Sequence, residues 1–207
     1  MRRTDAIDDI LRTFLSDVAR SIGDGRVAAV PTDTVYGLVC DPLNSQAVDR
    51  IYEIKRRPAN LELTLLASGI TQIDELVVMS DEAIALASRY WPGALSIVVD
   101  VGSRRLAIPR QGRTLSVRIP DHDLLCALLQ LTGPLASTSA NRHGAPPALS
   151  GDEVREQLGD EVDVIVEGHA PGARASTIID CTCRPPRLLR EGPISADDLR
   201  TAVDLAG

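Results

Sequence analysis

The sequence predicts an α/β domain in which helices pack on a twisted β-sheet. Segments with the three- and four-residue spacing of helices alternate with short apolar segments typical of buried strands. Apolar residues make up 44% of the chain and charged residues 25%, which is ordinary for a globular protein. No internal repeat or linker separates two halves, so we expect one domain over residues 1–207.

Helix-start and strand signals predict the elements of the first half. Thr4 is a candidate N-cap of a first helix, and Gly23 is its candidate stop. Ser45 is a candidate cap of a second helix, which reaches about Arg56 before Pro58 ends it. The pattern also predicts strands at 26–30, 63–67 and 95–99 and a helix at 81–90.

The second half continues the alternation of strands and helices. Asp121 is a candidate cap for a helix that carries leucines 124, 125, 128 and 129 on one face. Another helix is predicted at 153–158, and a last one begins after Ser195. Strands are predicted at 115–119, 135–137, 162–166, 176–179 and 187–190.

The composition argues against a membrane protein, a disulfide-rich secreted protein and a protein that coats nucleic acid. Lys and Arg number 22 against 29 Asp and Glu, a net charge of −7, whereas non-specific nucleic-acid binding needs a basic surplus. No apolar stretch approaches the ~18 residues of a membrane span, and acidic residues interrupt the N-terminal segment, unlike a signal peptide. The scattered cysteines and histidines lack metal-ligand spacing. We therefore expect a cytoplasmic protein with reduced thiols and no structural metal.

Four polar segments at the ends of predicted strands and helices are candidates for a functional site. They are PTDTVYG at 31–37, KRRP at 55–58, STSAN at 137–141, and the pair STIID at 176–180 with REG at 190–192. Hydroxyl, amide and guanidinium groups at strand ends suit recognition of a small phosphorylated ligand. Each segment alone also has a structural explanation, because turns satisfy their own hydroxyls and cations favour a helix C-terminus.

Together, seven motifs in this order resemble the Sua5/YrdC/YciO family of threonylcarbamoyl-AMP synthases over about residues 10–200. They are PTDTVYGL, IKRRP, WPGALSIVV, SVRIPDH, STSAN, ASTIID and LLREG. The resemblance implies a YrdC-like twisted mixed sheet, flanked by helices, around a concave and positively lined cavity. It also implies that L-threonine, bicarbonate and ATP are condensed to L-threonylcarbamoyladenylate, which serves a tRNA modification. The expected form is a short synthase without the C-terminal Sua5 domain.

The resemblance also implies roles for particular residues. The ATP site would comprise Lys55, Arg57, Thr114, Ser139, Asn141 and Arg190. The Lys-x-Arg and Ser-x-Asn elements among them would be catalytic: Lys55, Arg57, Ser139 and Asn141. The threonine site would comprise Thr34, Arg118, Ser137 and Ser176. Mg2+ would enter with ATP, held mainly by its phosphates, and the product would pass to the tRNA threonylcarbamoyl-transfer machinery, with direct tRNA contact as a further expectation.

The chain departs from the family pattern at several positions near these residues. Leu61 stands where the family usually has a phosphate-binding lysine, and Glu62 adds an anion beside it. Leu66 stands where many members have a histidine near threonine. Arg56 or Arg110 are candidates to replace the missing cation.

Two alternatives to the synthase follow from these departures. One is a tRNA- or double-stranded-RNA-binding module that keeps the cavity but not the synthesis, and the other is a carbamoyl-transfer domain like those within larger maturation proteins. Ser139 lies in no G-x-S-x-G elbow, and the chain contains no Walker-type G-x-x-x-x-G-K. These absences argue against a hydrolase of the elbow type and a P-loop nucleotidase.

Overall fold

The computed structural model describes residues 3–56, 62–103, 106–108, 112–172 and 174–206, with side chains from residue 9 onward. The helices of the described residues are α1 (Arg3–Gly23), α2 (Ser45–Lys55), α3 (Asp81–Tyr90), α4 (Asp123–Thr132), α5 (Gly151–Leu158) and α6 (Ala196–Arg200). The strands are β1 (Ala28–Val30), β2 (Gly37–Cys40), β3 (Thr64–Leu66), β4 (Val77–Val78), β5 (Leu95–Val101), β6 (Thr114–Arg118), β7 (Leu135–Ser139), β8 (Val164–Ile165), β9 (Thr177–Asp180) and β10 (Arg187–Arg190).

All of these strands belong to one mixed sheet. Its order is β10-β9-β5-β6-β3-β7-β2-β1-β8, and β4 pairs with β5. The pairs β1·β8, β3·β6 and β5·β9 are parallel, and the other described pairs are antiparallel. The predicted α/β class, with a mixed sheet flanked by helices, is confirmed.

Helices cover both faces of this sheet, because successive residues of a strand point to opposite sides. In β1, Ala29 packs in one core with residues of α2, α3, α5 and α6, whereas Ala28 and Val30 pack in a second core with residues of α1 and α4. The same alternation places Leu38 in the first core and Val39 in the second. The buried strands are therefore apolar on both sides, as the sequence indicates.

Three predicted helix caps are wrong, two of them by one residue. Asn44, not Ser45, caps α2, because its side-chain oxygen accepts from backbone N–H groups of the first turn at 3.0 and 3.2 Å. His122, not Asp121, caps α4 through its Nδ1, which accepts a backbone N–H at 3.3 Å. Thr4 lies inside α1. Several neighbouring residues can cap at these positions, and the backbone conformation, which the sequence does not reveal, selects among them.

Strands β2 and β4 have no predicted counterpart. The four residues of β2 are all buried, and the strand begins at Gly37, the last residue of PTDTVYG, so the turn-forming residues before it conceal the strand. The predicted strands overlap observed ones, with ends that differ by up to two residues; β7, for example, extends to Ser139. The predicted cap Ser195 of the last helix is confirmed by a reciprocal capping box with Asp198.

No helix among the described residues is long and apolar enough to cross a membrane.

Candidate active site

A polar pocket of about 170 Å3 lies over the middle of the sheet. Its lining includes residues from β2, β3, β5, β6, β7, β9 and β10. The strand register explains why they converge, since residues paired across neighbouring strands point to the same face. Thr64 lies opposite Ser137, and Leu66 lies opposite Arg118.

Most of the predicted site residues meet in this pocket. Six of them line it: Thr34, Arg118, Ser137, Ser139, Ser176 and Arg190. Lys55, Thr114 and Asn141 are absent from its described lining. Arg57 lies outside the described residues, as do Leu61 and Arg110. The hydroxyl-bearing residues of the predicted site that line the pocket therefore lie around the same cavity.

Arg118 is held in the pocket wall by three different partners. Its Nε donates to the carbonyl of Gly93 at 2.9 Å, and its Nη1 donates to Oγ1 of Thr34 at 3.0 Å. Its Nη2 forms an ion pair with Oδ1 of Asp33 at 2.5 Å. The Arg118 and Asp33 side chains are only 7% and 12% exposed. The guanidinium therefore has a fixed orientation and a nearby counter-ion.

The segment after β1 holds Thr34 beside this arginine. The hydroxyl of Thr32 accepts from the backbone N–H of Thr34 at 3.0 Å and donates to the carbonyl of Val35 at 2.8 Å. Thr32 and Thr34 are both buried, and their hydroxyls lie 3.0 Å apart. Thr32 lacks a predicted role, although it belongs to the PTDTVYG segment. In the structure its hydroxyl stabilises the turn through the backbone of Thr34 and Val35.

A second hydroxyl pair also lines the pocket. Ser96 on β5 and Ser176 before β9 bring their Oγ atoms to 2.9 Å, and both line the pocket. Arg190 donates from Nε and Nη2 to the carbonyl of Ser176, at 3.0 and 2.8 Å. Ser96 was not among the predicted site residues, because it lies inside an apolar strand where a single serine gives no signal of function.

Lys55 forms buried hydrogen bonds with the end of β7 and the loop that follows it. Its side chain is buried, and its Nζ donates to the carbonyls of Ser139 and Asn141 at 2.5 and 2.7 Å and to Oδ1 of Asn141 at 3.1 Å. The hydroxyl of Ser139 donates to the same Oδ1 at 2.6 Å. The ammonium therefore ties the end of α2 to the loop after β7, and Ser139, not Lys55, reaches the pocket.

The described lining carries both signs of charge. Arg118 and Arg190 contribute guanidinium groups, and Glu62 contributes a carboxylate. Thr114 approaches Glu62 at 3.5 Å between Oγ1 and Oε1. Tyr36 is also a lining residue. Burial raises the pKa of its hydroxyl, which donates to the carbonyl of Val166 at 3.0 Å, so the hydroxyl stays neutral at ordinary pH. These groups suit binding and charge neutralisation rather than nucleophilic attack.

The described residues contain no group of three or more His, Cys, Asp or Glu side chains that could hold a metal ion. A carboxylate cage made by the protein is therefore not part of this described site. A metal that arrives already bound to phosphate oxygens needs no such cage.

A mixed β-sheet flanked by helices, with a hydroxyl-lined pocket that carries two arginines, is typical of a protein that binds a small polar ligand. Comparison with known proteins identifies the family. A family model for Sua5, YciO and YrdC proteins, described as "Telomere recombination", matches residues 20–192. The chain therefore belongs to the Sua5/YciO/YrdC family, as its ordered motifs predict.

Relatives from several organisms support this assignment. The threonylcarbamoyl-AMP synthase of Vibrio vulnificus is 36% identical over 184 residues, which cover 86% of this chain and 98% of the relative. The threonylcarbamoyl-AMP synthase of Bacillus subtilis is 34% identical over 196 residues, covering 91% of this chain and 56% of the relative. The crystal structure of Pyrococcus abyssi Sua5 complexed with L-threonine superposes with a TM-score of 0.88 at 32% identity, over 94% of this chain and 59% of that one. The chain thus spans little more than half the length of the latter two proteins.

Proposed function

We propose that the chain is an L-threonylcarbamoyl-AMP synthase, which joins L-threonine, bicarbonate and ATP and releases pyrophosphate. The observation that carries the proposal is the clamped guanidinium of Arg118 beside Thr34 in a hydroxyl-lined pocket. Relatives of similar length carry this activity in their names. The proposal is preferred over the RNA-binding alternative because the pocket suits a small polar substrate.

Arg118 would hold the α-carboxylate of threonine. Three of its five N–H groups donate to described atoms, and the other two belong to Nη1 and Nη2, one on each. Two such donors suit a bidentate contact with a planar carboxylate. The hydroxyls of Thr34, Ser137 and Ser176 would then meet the amine and the side-chain hydroxyl of the same substrate.

The nucleotide would occupy the side of the pocket formed by Ser139 and Arg190. Arg190 is a guanidinium in the lining and suits a phosphate. Lys55 would act there by fixing the backbone of Ser139 and Asn141, while Arg57 remains a predicted phosphate contact. Mg2+ bound to the phosphates would neutralise part of their charge. Glu62 lines the pocket, and its carboxylate oxygens would suit contact with that Mg2+.

The reaction needs no protein nucleophile. The threonine nitrogen bonds to the carbon of bicarbonate, which loses water to give a carbamate. A carbamate oxygen then attacks the α-phosphorus of ATP, and the bond from that phosphorus to the pyrophosphate oxygen breaks. The task of the protein is to align the carbamate with the phosphorus and to stabilise the charge of the departing pyrophosphate. The product is a reactive mixed anhydride, suited to transfer of its threonylcarbamoyl group to tRNA.

Pyrophosphate release tests the proposal. With the purified chain, release should require L-threonine, bicarbonate, ATP and Mg2+ together and should proceed without RNA. Arg118→Gln should abolish the threonine-dependent release of pyrophosphate, because the carboxylate contact is lost. Release that ignores threonine, or no release from a chain that binds tRNA, would contradict the synthase and favour the RNA-binding module.

A further inference from the structure

Asp33 is a carboxylate beside the pocket for which neither the motifs nor the proposed chemistry supplies a role. We infer that Asp33 is a positioning residue of the threonine site, which acts on substrate binding through Arg118. This inference rests on the proposed function, since it assigns Arg118 to the substrate carboxylate.

The geometry places Asp33 behind the pocket wall. Its sequence neighbours Thr32 and Thr34 line the pocket, as does Arg118, but Asp33 is absent from the described lining. Its Oδ1 accepts from Nη2 of Arg118 at 2.5 Å, and the two side chains are 12% and 7% exposed. The described contact that links Asp33 to the pocket is therefore its ion pair with the guanidinium.

The charge of Arg118 explains why the residue behind it is an acid. The other described acceptors of this guanidinium, the carbonyl of Gly93 and the hydroxyl of Thr34, are neutral. A guanidinium that is shielded from water without a counter-ion is strongly unfavourable. Asp33 neutralises the cation while leaving one N–H on each terminal nitrogen for the substrate.

The backbone on the C-terminal side of Asp33 is fixed as well. The N–H of Thr34 donates to the hydroxyl of Thr32 at 3.0 Å, and the N–H of Gly172 donates to the carbonyl of Thr34 at 2.9 Å. A Cβ at position 172 would lie 2.6 Å from that carbonyl oxygen, so this close approach requires glycine. The carboxylate is thus held in place before substrate arrives, which reduces the cost of ordering Arg118 on binding.

Calorimetric titration of the full chain with L-threonine, and separately with ATP, tests this role. Asp33→Ala should raise the threonine Kd about tenfold and leave the ATP Kd within about twofold, because only the threonine contact depends on Arg118. Asp33→Asn keeps an acceptor but not the charge and should lie between. Asp180→Ala is the matched control, because Asp180 is 14% exposed, is paired with Arg187 and is absent from the described lining. It should change neither constant.

Combination with a change at position 118 distinguishes action through the arginine from direct action. In an Arg118→Lys background, Asp33→Ala should add less than about a threefold loss of threonine affinity. An undiminished tenfold loss in that background, or equal weakening of threonine and ATP, would overturn the inference. The inference would also be overturned if Asp33→Ala and Asp33→Asn both left threonine binding unchanged. If the unaltered chain does not bind threonine, the proposed function fails as well.

Discussion

Lys55 and Asn141 form a buried contact that joins the end of α2 to the loop after β7, although 86 residues separate them in the chain. The ammonium reaches both the backbone carbonyl and the side-chain oxygen of Asn141 and also the carbonyl of Ser139. The next residue, Arg56, turns away with a left-handed φ of 50° and is exposed. Within the KRRP segment, Lys55 therefore joins α2 to this loop, while its contact with ATP stays a prediction.

Replacement of Lys55 by methionine tests this structural role. Lys55→Met keeps much of the aliphatic stem but removes three hydrogen bonds from a charged donor, each worth about 1.5–3 kcal/mol. Part of this loss is offset, because Oδ1 of Asn141 keeps the Ser139 hydroxyl and the carbonyl of Ser139 keeps the N–H of Asn141. Because the loop can relax toward water, we expect the free energy of unfolding in urea to fall by about 3 kcal/mol. Arg56→Met, at the exposed neighbour, should change it by at most about 0.5 kcal/mol. Equal losses in the two variants would contradict the structural assignment.

The nucleotide affinity should respond to the residue at position 61. Leu61 lies outside the described residues, but the next residue, Glu62, lines the pocket. Leu61→Lys should lower the KM for ATP about fivefold, or about 1 kcal/mol, because Glu62 offsets part of the added attraction for phosphate. The KM for threonine should hardly change. Leu61→Gln is the uncharged control. If glutamine lowered the KM for ATP as much as lysine, or if lysine left it unchanged, charge at this position would not affect ATP binding.

Substrate analogues should reveal that the pocket recognises the threonine hydroxyl. Ser137 and Ser176 supply buried hydroxyls to the pocket. An analogue without the threonine hydroxyl would leave the Ser137 hydroxyl without a substrate partner, whereas the Ser176 hydroxyl keeps that of Ser96 at 2.9 Å. Such an unpaired group penalises the analogue more than a missing methyl does. Calorimetry should therefore show threonine bound at least about tenfold more tightly than 2-aminobutyrate, with serine between them. Equal affinities for threonine and 2-aminobutyrate would argue against this use of the hydroxyls.

Two buried thiols should make the stability of the fold depend on alkaline pH. Burial raises the pKa of Cys40 and of Cys181 to about 12 from 9.0. The folded state keeps these thiols protonated while the unfolded state loses their protons above about pH 9, so their contribution to stability falls as pH rises from 9 toward 12.

Comparison with Cys40→Ala isolates this effect from other titrating groups. The excess stability of the unaltered chain over the variant should shrink by about 1 kcal/mol between pH 8 and pH 10 in urea unfolding. A difference that stays constant across this range would show that folding does not raise the pKa of the Cys40 thiol.

Local patterns were enough to predict the alternation of helices and strands. They were not enough to predict the caps of α2 and α4, strand β2 or the ends of the strands. Apolar spacing is enough to indicate α2 and α4, but Asn44 and His122 cap them because of backbone conformations that neighbouring candidates could equally have adopted. Strand β2 was concealed because its apolar residues follow a turn-like segment without interruption. Strand ends depend on pairing with distant strands, which a local pattern does not contain.

The residues of the candidate site were likewise predictable in part. Family motifs point to Thr34, Arg118 and Ser176, and the sheet register brings them together in one pocket. The partners that set their orientation lie far apart in sequence, since Asp33 and Arg118 are separated by 85 residues and Ser96 and Ser176 by 80. Such long-range pairs produce no local spacing, so the pairing of Asp33 with Arg118 and of Ser96 with Ser176 became visible only in the folded structure.

Isotope labelling of the product tests the synthase assignment most directly. The purified chain would be incubated with ATP, Mg2+, L-threonine and carbon-13 bicarbonate, and the nucleotides would be analysed by mass spectrometry. The proposed chemistry predicts a threonylcarbamoyl adenylate one mass unit heavier than the product from unlabelled bicarbonate, and none when threonine is omitted. Conversion of ATP to AMP and pyrophosphate without a labelled adenylate, or no conversion with all substrates present, would contradict it.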